Sequence, residues 1–292
     1  MSDLKDNKLF IKALKEKGTN LEAEMSFFDH LDILRKHLIR SAIAIIFFTG
    51  LAFYYYDFIF DTIIMGPSKP TFWTYRMLCH IGDLLHRPGF CVDKINIQLI
   101  NTEMAGQFTL QINSSFLIGI TLGFPYMLYE VWLFIKPALH DKERKSASGF
   151  VFYASMLFLL GVLFGYYVIT PESISFLSSY NVSSLIHNLF TIDSYISSVA
   201  TLTLATGIVF ELPILIYILA NLGILTAKFM KETRRYAIII ILIIAAIVTP
   251  TPDMLTMTVV SIPLFLLYEV SIVVAGVVER RRNKKHDDLM AS

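Results

Sequence analysis

Four long runs of apolar residues constrain the fold of this chain more than any other feature. A helix of about 20 apolar residues crosses the roughly 30 Å hydrocarbon core of a bilayer, and it satisfies its backbone hydrogen bonds without water. The composition agrees, because 55% of the residues are hydrophobic and only 17% are charged. The sequence therefore predicts an all-α integral membrane protein. The four predicted spans lie near 39–58, 111–135, 150–169 and 198–221.

A further apolar stretch, residues 237–278, contains the segment VTPTPD at 248–253. Its two prolines and one aspartate stop a helix and favour a turn, so the stretch is predicted to form a helical hairpin. The first arm, 237–248, covers roughly 20 Å at 1.5 Å per residue, which is shorter than the bilayer core. The sequence therefore predicts six transmembrane helices, of which the fifth and the sixth are short.

The lysines and arginines are distributed unequally between the two sides of these spans. Of the 25 lysines and arginines, 21 lie in the two terminal regions and in the loops 136–149 and 223–236, and four lie in the loop 59–110. Loops that remain in the cytoplasm are enriched in these residues. Both termini are therefore predicted to be cytoplasmic, and the loop 59–110 is predicted to be external.

These patterns divide the chain into an N-terminal cytoplasmic tail at 1–25, a six-helix membrane domain at 26–280 and a basic cytoplasmic tail at 281–292. The external loop holds the two cysteines of the chain, Cys79 and Cys91. In an oxidising compartment a disulfide between them would close this loop. Two free thiols are the alternative.

The sequence lacks the motifs of several function classes. It contains no nucleophile elbow, no HExxH helix, no phosphate-binding loop and no dinucleotide-binding glycine motif. Its cysteines and histidines lack the spacing of a zinc site, and a net charge of +1 gives no reason to expect a nucleic-acid partner. The sequence therefore predicts a protein that is not an enzyme and that has no cofactor and no metal site.

Glu211 lies near the middle of the fourth predicted span, two residues before Pro213. A charged side chain near the bilayer centre costs roughly 2.5–3.5 kcal/mol on insertion scales, so such residues are candidates for function. The proline removes one backbone hydrogen bond and bends the helix, which exposes carbonyl groups to a polar partner. Glu130 and Glu269 are weaker candidates, because both can reach interfacial water or an internal partner.

Two pairs of glycines are separated by four positions, in GITLG at 119–123 and in GVLFG at 161–165. Small residues at this spacing let two membrane helices approach closely. Both pairs are therefore predicted to lie at contacts between helices inside the bundle.

Six short segments occur in an order and spacing that resemble one known family. They are HLDILRKHL at 30–38, YEVWLFIKPALHDKER at 129–144, GYYVITP at 165–171, FELP at 210–213, VTPTPD at 248–253 and IPLFLLYE at 262–269. Together they resemble TatC, the multispanning core subunit of the twin-arginine protein translocase, over roughly residues 26–280. The resemblance implies a multi-pass protein of the bacterial cytoplasmic (inner) membrane with both termini inside.

The resemblance also implies a function. A protein of this family is a receptor that binds the twin-arginine signal peptide of folded precursor proteins. It recruits single-span partners of the TatA and TatB types for export driven by the proton-motive force, and it forms a homo-oligomer in the receptor complex. A proton-coupled secondary transporter is the alternative, because it too would place a glutamate near the midplane, although the sequence shows no internal repeat.

Matching this chain to the family's motifs assigns roles to individual residues. Signal-peptide binding is expected at Glu143, Arg35, Asp32, Arg144 and Phe134. Contact with a partner helix is expected at Glu211 and Pro213. Structural or external-loop roles are expected at Pro67, Pro137, Tyr166 and Asp253. The family motif HLxELR has a glutamate where this chain has Ile33, and Asp32 projects about 100° away from that position on a helix.

Overall fold

The computed structural model describes residues 27–84, 97–135, 147–183, 185, 188–248 and 254–290. The predicted tail at 1–25 lies outside these ranges. Five residues with predicted roles also lie outside them, namely Cys91, Pro137, Glu143, Arg144 and Asp253. Their roles stay predictions.

Five helical segments in the described ranges are long and apolar enough to cross a membrane. They are Leu31–Tyr54, Gly106–Ile135, Val151–Ser179, Ile192–Asn221 and Met257–Arg281. A further apolar helix, Arg234–Val248, has 15 residues and is about 22 Å long. The chain is thus an all-α, multi-pass membrane protein, as predicted, and its fifth apolar helix is short.

The helices follow one another along the chain, with two short strands between them. The helices are α1 (Phe27–Tyr54), α2 (Trp73–Leu84), α3 (Gly106–Ile135), α4 (Ala147–Phe164), α5 (Thr170–Ser179), α6 (Ile192–Phe210), α7 (Leu212–Asn221), α8 (Ala227–Glu232), α9 (Arg234–Val248) and α10 (Met254–Met290). The strands β1 (Leu99–Ile100) and β2 (Phe190–Thr191) pair in parallel. A helical turn at Tyr56–Phe58, a π-helix at Ile59–Ile64 and a 3-10 turn at Gly66–Ser68 follow α1, and a π-helix at Gly165–Ile169 joins α4 to α5.

The last helix is longer than the sequence analysis predicted. α10 has 37 residues, and its apolar span, Met257–Arg281, has 25. Pro263 lies inside α10 without ending it, and residues 279–290 contain no glycine or proline that would stop the helix. The helix therefore continues through the basic residues that were predicted to form a separate tail.

Successive spans run in opposite directions, so the bundle has two ends. One end carries the start of α1, the end of α3 and the connection from α7 to α9. We term it the basic end, because its described cations include Arg35, Arg40, Lys228, Lys231 and Arg234. The opposite end, termed the loop end, carries α2 and the paired strands β1 and β2.

The first glycine pair lies where α1 packs against α3, as predicted. A Cβ atom added to Gly119 would lie 2.8 Å from the backbone nitrogen of Thr49, and one added to Gly123 would lie 3.0 Å from the side chain of Ile45. Both distances are shorter than ordinary van der Waals contact. Only glycine therefore permits this approach of the two backbones.

The second glycine pair joins α4 and its π-helical extension to α6, also as predicted. A Cβ atom at Gly161 would lie 2.7 Å from the Cβ of Phe210, and one at Gly165 would lie 2.9 Å from the Cα of Thr203. The two helices are antiparallel, because Gly161 contacts Phe210 whereas Gly165, further along the chain, contacts Thr203, which precedes Phe210. This contact fixes the position of Phe210 and hence of the segment that follows it.

Candidate functional site

The first turns of α1 carry two of the predicted binding residues on an exposed surface. Asp32 and Arg35 are both exposed, and they lie about one helical turn apart. Ile33 is partly buried, in keeping with its different direction on the helix. A ligand at the basic end can therefore reach Asp32 and Arg35.

A buried carboxylate lies one helix away, near the end of α3. Glu130 is only 2% exposed. His37 Nδ1 lies 2.5 Å from its Oε2, and the hydroxyl of Tyr126 donates to its Oε1 at 2.7 Å. Arg40 Nη1 lies 4.0 Å from Oε2. Because a buried carboxylate without partners is strongly destabilising, these groups explain why Glu130 is tolerated, and two of them belong to α1.

Phe134 lies one turn beyond Glu130 on α3 and contacts the same part of α1. Its ring centroid is 6.5 Å from that of His37, with the ring planes at 64°. This is the edge-to-face arrangement that aromatic rings prefer. The structure therefore brings Phe134 to the α1 segment that carries Asp32 and Arg35, whereas Glu143 and Arg144 lie outside the described residues.

Sequence reasoning missed the contact between His37 and Glu130. It named Glu130 as a weak candidate, with interfacial water or an internal partner as the explanation, and it gave His37 no role. The two residues are 93 positions apart, so no helical periodicity could pair them. The one available signal was a glutamate inside an apolar run.

Glu211 lies at a break between α6 and α7. Its backbone N–H donates to the carbonyl of Ile208 at 3.0 Å, and Pro213 lies in the first turn of α7, where a missing N–H costs no hydrogen bond. Both carboxylate oxygens of Glu211 are buried and have no hydrogen-bond partner among the described residues. A buried polar group in this condition costs about 1–3 kcal/mol, so Glu211 would gain stabilisation from a polar partner outside the chain.

An apolar cavity of about 710 Å³ lies next to this break. Its walls include Trp73, Leu160, Leu163, Phe164, Phe210 and Pro263. Phe210, the residue that precedes Glu211 in the chain, is one of the residues that line this cavity. A cavity of this lining fits hydrocarbon groups rather than a polar ligand.

A second polar network at the basic end ties α9 to α10. Arg234 Nη2 donates to Glu269 Oε2 at 2.9 Å, and its Nε lies 2.9 Å from Oε1, so the two side chains form an ion pair with one hydrogen bond. The hydroxyl of Tyr268 donates to the carbonyl of Met230 at 2.7 Å. Glu269 therefore has an internal partner, which was one of the explanations that the sequence left open.

Tyrosine hydroxyl groups connect segments of the loop end by hydrogen bonds to backbone carbonyl groups. The Tyr75 hydroxyl lies 3.0 Å from the carbonyl of Pro67 and 2.9 Å from that of Pro171. The Tyr166 hydroxyl donates to the carbonyl of Ile63 at 2.5 Å. Burial raises the pKa of the Tyr75 phenol, so this group remains a donor. Pro67 and Tyr166, two residues with expected structural roles, both lie in this network.

The predicted disulfide lies only partly in the described part of the chain, and no metal site is found there. Cys79 lies on α2 and is disulfide-bonded, but Cys91 lies outside the described residues, so their predicted pairing stays a prediction. The described ranges contain no group of three or more His, Cys, Asp or Glu side chains that could hold a metal ion.

Comparisons with known proteins give a consistent set of relatives. The model of the family TatC, described as Sec-independent protein translocase protein, matches residues 29–263. The chain is 39% identical over 265 residues to the Sec-independent protein translocase protein TatC of Blattabacterium sp. subsp. Periplaneta americana, over 90% of this chain and 99% of the relative. It is 33% identical to the TatC of Koribacter versatilis, over 89% of each chain. A crystal structure of the twin arginine translocase receptor TatC is similar with a TM-score of 0.62 and 31% identity, over 85% of this chain and 99% of that one.

Proposed function

We propose that this chain, which belongs to the TatC family of Sec-independent protein translocase proteins, is a membrane receptor for the twin-arginine signal peptides of folded precursor proteins. One observation carries the proposal, a similarity that spans residues 29–263 and extends to a solved twin-arginine translocase receptor. The protein is a component of protein transport and not an enzyme. Because the chain belongs to this family, the receptor is preferred to the proton-coupled secondary transporter, which the sequence left as an alternative.

The basic end of the bundle faces the cytoplasm in this proposal. Support comes from the lysines and arginines, of which 21 of 25 lie in the terminal regions and the two loops on that side. The similar proteins are bacterial, so the membrane is the cytoplasmic (inner) membrane. A precursor made in the cytoplasm then meets α1 and the end of α3 first.

The paired arginines of the signal peptide bind to carboxylates at this end. A guanidinium group and a carboxylate form two parallel hydrogen bonds, each about twice as strong as a neutral one. Glu143 is the first acceptor, with Arg144 beside it, and Asp32 is the second. The exposed positions of Asp32 and Arg35 on α1 support this assignment, as does the contact of Phe134 with the same helix.

The affinity for a signal peptide tests the site. Full-length protein in lipid nanodiscs is titrated with a fluorescent signal peptide that carries paired arginines or paired lysines. We expect the arginine peptide to bind at least about tenfold more tightly, and Glu143→Ala to reduce the difference, because Asp32 still accepts one arginine. Asp57→Ala, which changes an exposed carboxylate at the loop end, is the matched control and should change nothing. Equal affinity for the two peptides would contradict the proposal.

Glu211 recruits a single-span partner of the TatA or TatB type within the bilayer. Its two unpartnered oxygens, the helix break before Pro213 and the adjacent apolar cavity support this role. Hydrogen bonds between membrane helices contribute only about 0.6–2 kcal/mol, which suits reversible recruitment. Glu211→Ala should leave signal-peptide affinity intact and reduce co-purification of partners, and unchanged co-purification would refute the assignment.

The assembled receptor complex contains more than one copy of this chain, and the proton-motive force drives transport. Family membership supports both statements. Mass measurement of the complex in native membranes and transport assays with a protonophore test them separately.

A further inference from the structure

The contact between His37 and Glu130 is a shielded connection between α1 and α3 at the basic end. The side chain of Glu130 is 3% exposed and that of His37 is 15% exposed. The distance of 2.5 Å between His37 Nδ1 and Glu130 Oε2 is that of a short hydrogen bond. Hydrogen bonds in surroundings of low dielectric constant are stronger than exposed ones, so this contact can hold two helices together.

Two neighbouring groups fix the orientation of the Glu130 carboxylate. The hydroxyl of Tyr126 donates to Oε1 at 2.7 Å, which leaves Oε2 directed toward α1. Arg40 Nη1 lies 4.0 Å from Oε2, beyond hydrogen-bond distance but close enough to compensate its charge. Tyr126 on α3 therefore orients the carboxylate, and His37 and Arg40 on α1 interact with it.

The glycine contacts between α1 and α3 lie too far from the basic end to fix the first turns of α1. Gly123 meets α1 at Ile45, which is 13 residues, or about 20 Å, from Asp32. A tilt of about 10° at Ile45 would move Asp32 by about 3.4 Å, whereas the same tilt at His37 would move it by about 1.3 Å. A displacement of the larger size breaks a hydrogen bond, so contacts near His37 place Asp32 more closely than the glycine contacts can.

We propose that His37 and Glu130 are positioning residues whose contact holds the first turns of α1 against the end of α3. This contact sets where Asp32 and Arg35 lie relative to Phe134. The inference rests on the signal-peptide site proposed above, but it assigns a role to two residues that do not touch the peptide. Glu130 is buried, so it acts through the placement of α1.

A distance measurement tests the positioning step without any signal peptide. Spin labels are attached to cysteines introduced at Leu31 on α1 and Val131 on α3, both of which are exposed. The background variant has serine at Cys79 and Cys91, so that only these two sites are labelled. Double electron–electron resonance on the full-length protein in nanodiscs then gives the distribution of distances between the two helices.

The distribution should be narrow in the background protein, broad in Glu130→Ala and narrow again in Glu130→Gln. Glutamine keeps an acceptor for Tyr126 and an amide that pairs with His37, so recovery would show that the hydrogen bonds matter. If Glu130→Ala does not insert stably, His37→Ala removes the same contact and leaves Glu130 with Tyr126 and Arg40. A distribution that stays narrow when the contact is removed would overturn the inference.

The affinity for the paired-arginine peptide tests the consequence for binding. Glu130→Ala should lower it about tenfold, and Glu130→Gln should restore it to near the parent value. Tyr129→Phe, which changes an exposed neighbour on the same helix, is the control and should bind like the parent. Parent-like binding by Glu130→Ala despite a broad distance distribution would overturn the positioning role. If the parent itself fails to prefer arginine, the proposed function fails, while the distance measurement still judges the contact.

Discussion

Replacing Glu211 by leucine separates two effects of this carboxyl group. One is its effect on the stability of the isolated chain, and the other is its effect on association with a partner helix. Both of its oxygens are buried without a partner among the described residues, so the isolated chain bears a desolvation cost of about 1–3 kcal/mol. Leucine fills a similar volume without polar atoms, which keeps the packing cost small. Glu211→Leu is therefore expected to raise the free energy of unfolding of the isolated chain by about 1–3 kcal/mol.

The same substitution should weaken association with a single-span partner. A hydrogen bond between membrane helices contributes about 0.6–2 kcal/mol, and its loss lowers the association constant by about 3- to 30-fold. Glu211→Gln keeps a side chain that forms hydrogen bonds, so it should retain most of the association. Higher stability together with weaker association would indicate that Glu211 serves to bind a partner rather than to stabilise the isolated chain.

Two assays measure these effects on the same protein samples. Unfolding by titration with SDS gives the change in stability, and energy transfer between labelled proteins in liposomes gives the association constant. Glu269→Leu is the matched control, because Glu269 already pairs with Arg234 inside the chain. It should lose stability and leave association with the partner unchanged.

A loss of stability in Glu211→Leu, with association unchanged, would contradict a role of Glu211 in binding a partner helix. That result would mean that Glu211 stabilises the chain from within. The helix break at this position would then be a feature of the fold alone.

Two further predictions concern packing and the loop end. Gly119→Ala should destabilise the protein by about 1–3 kcal/mol, because the new Cβ would lie 2.8 Å from the backbone nitrogen of Thr49. At Gly50 a Cβ would have no atom within 4 Å, so Gly50→Ala should be neutral or stabilising in the same unfolding assay. Equal effects of the two substitutions would contradict the packing of Gly119 against α1. Tyr75→Phe removes the hydroxyl that lies between the carbonyls of Pro67 and Pro171, and it should lower the free energy of unfolding by about 1–3 kcal/mol. A Tyr75→Phe protein that is as stable as the parent would show that this hydroxyl does not stabilise the loop end.

The membrane spans could be predicted from sequence because the bilayer fixes the length of an apolar helix. The short α9 followed from the same rule, since the segment 237–248 is too short for the hydrocarbon core. The two glycine pairs were equally readable, because small residues four positions apart favour close contact. The break at Glu211 was predicted from Pro213, because a proline is accommodated best in the first turn of a helix.

The contacts that connect distant helices could not be predicted. His37 and Glu130 meet because α1 and α3 pack with one particular register and rotation, and neither quantity is encoded in the pattern of a single helix. The same holds for Arg234 and Glu269, which lie 35 positions apart. The length of α10 was underestimated for a different reason, since charged residues end an apolar span without ending a helix.

Site-specific photocrosslinking in native membranes shows whether Glu143 and Asp32 contact the paired arginines of a precursor. A photoreactive residue replaces Glu143 or Asp32 in the full-length protein, and the membranes are incubated with a labelled precursor that carries paired arginines or paired lysines. We expect crosslinks from Glu143 that depend on the arginines, and weaker arginine-dependent crosslinks from Asp32. Crosslinks that are equal for the two precursors, or absent from both sites, would contradict a twin-arginine receptor site at the basic end.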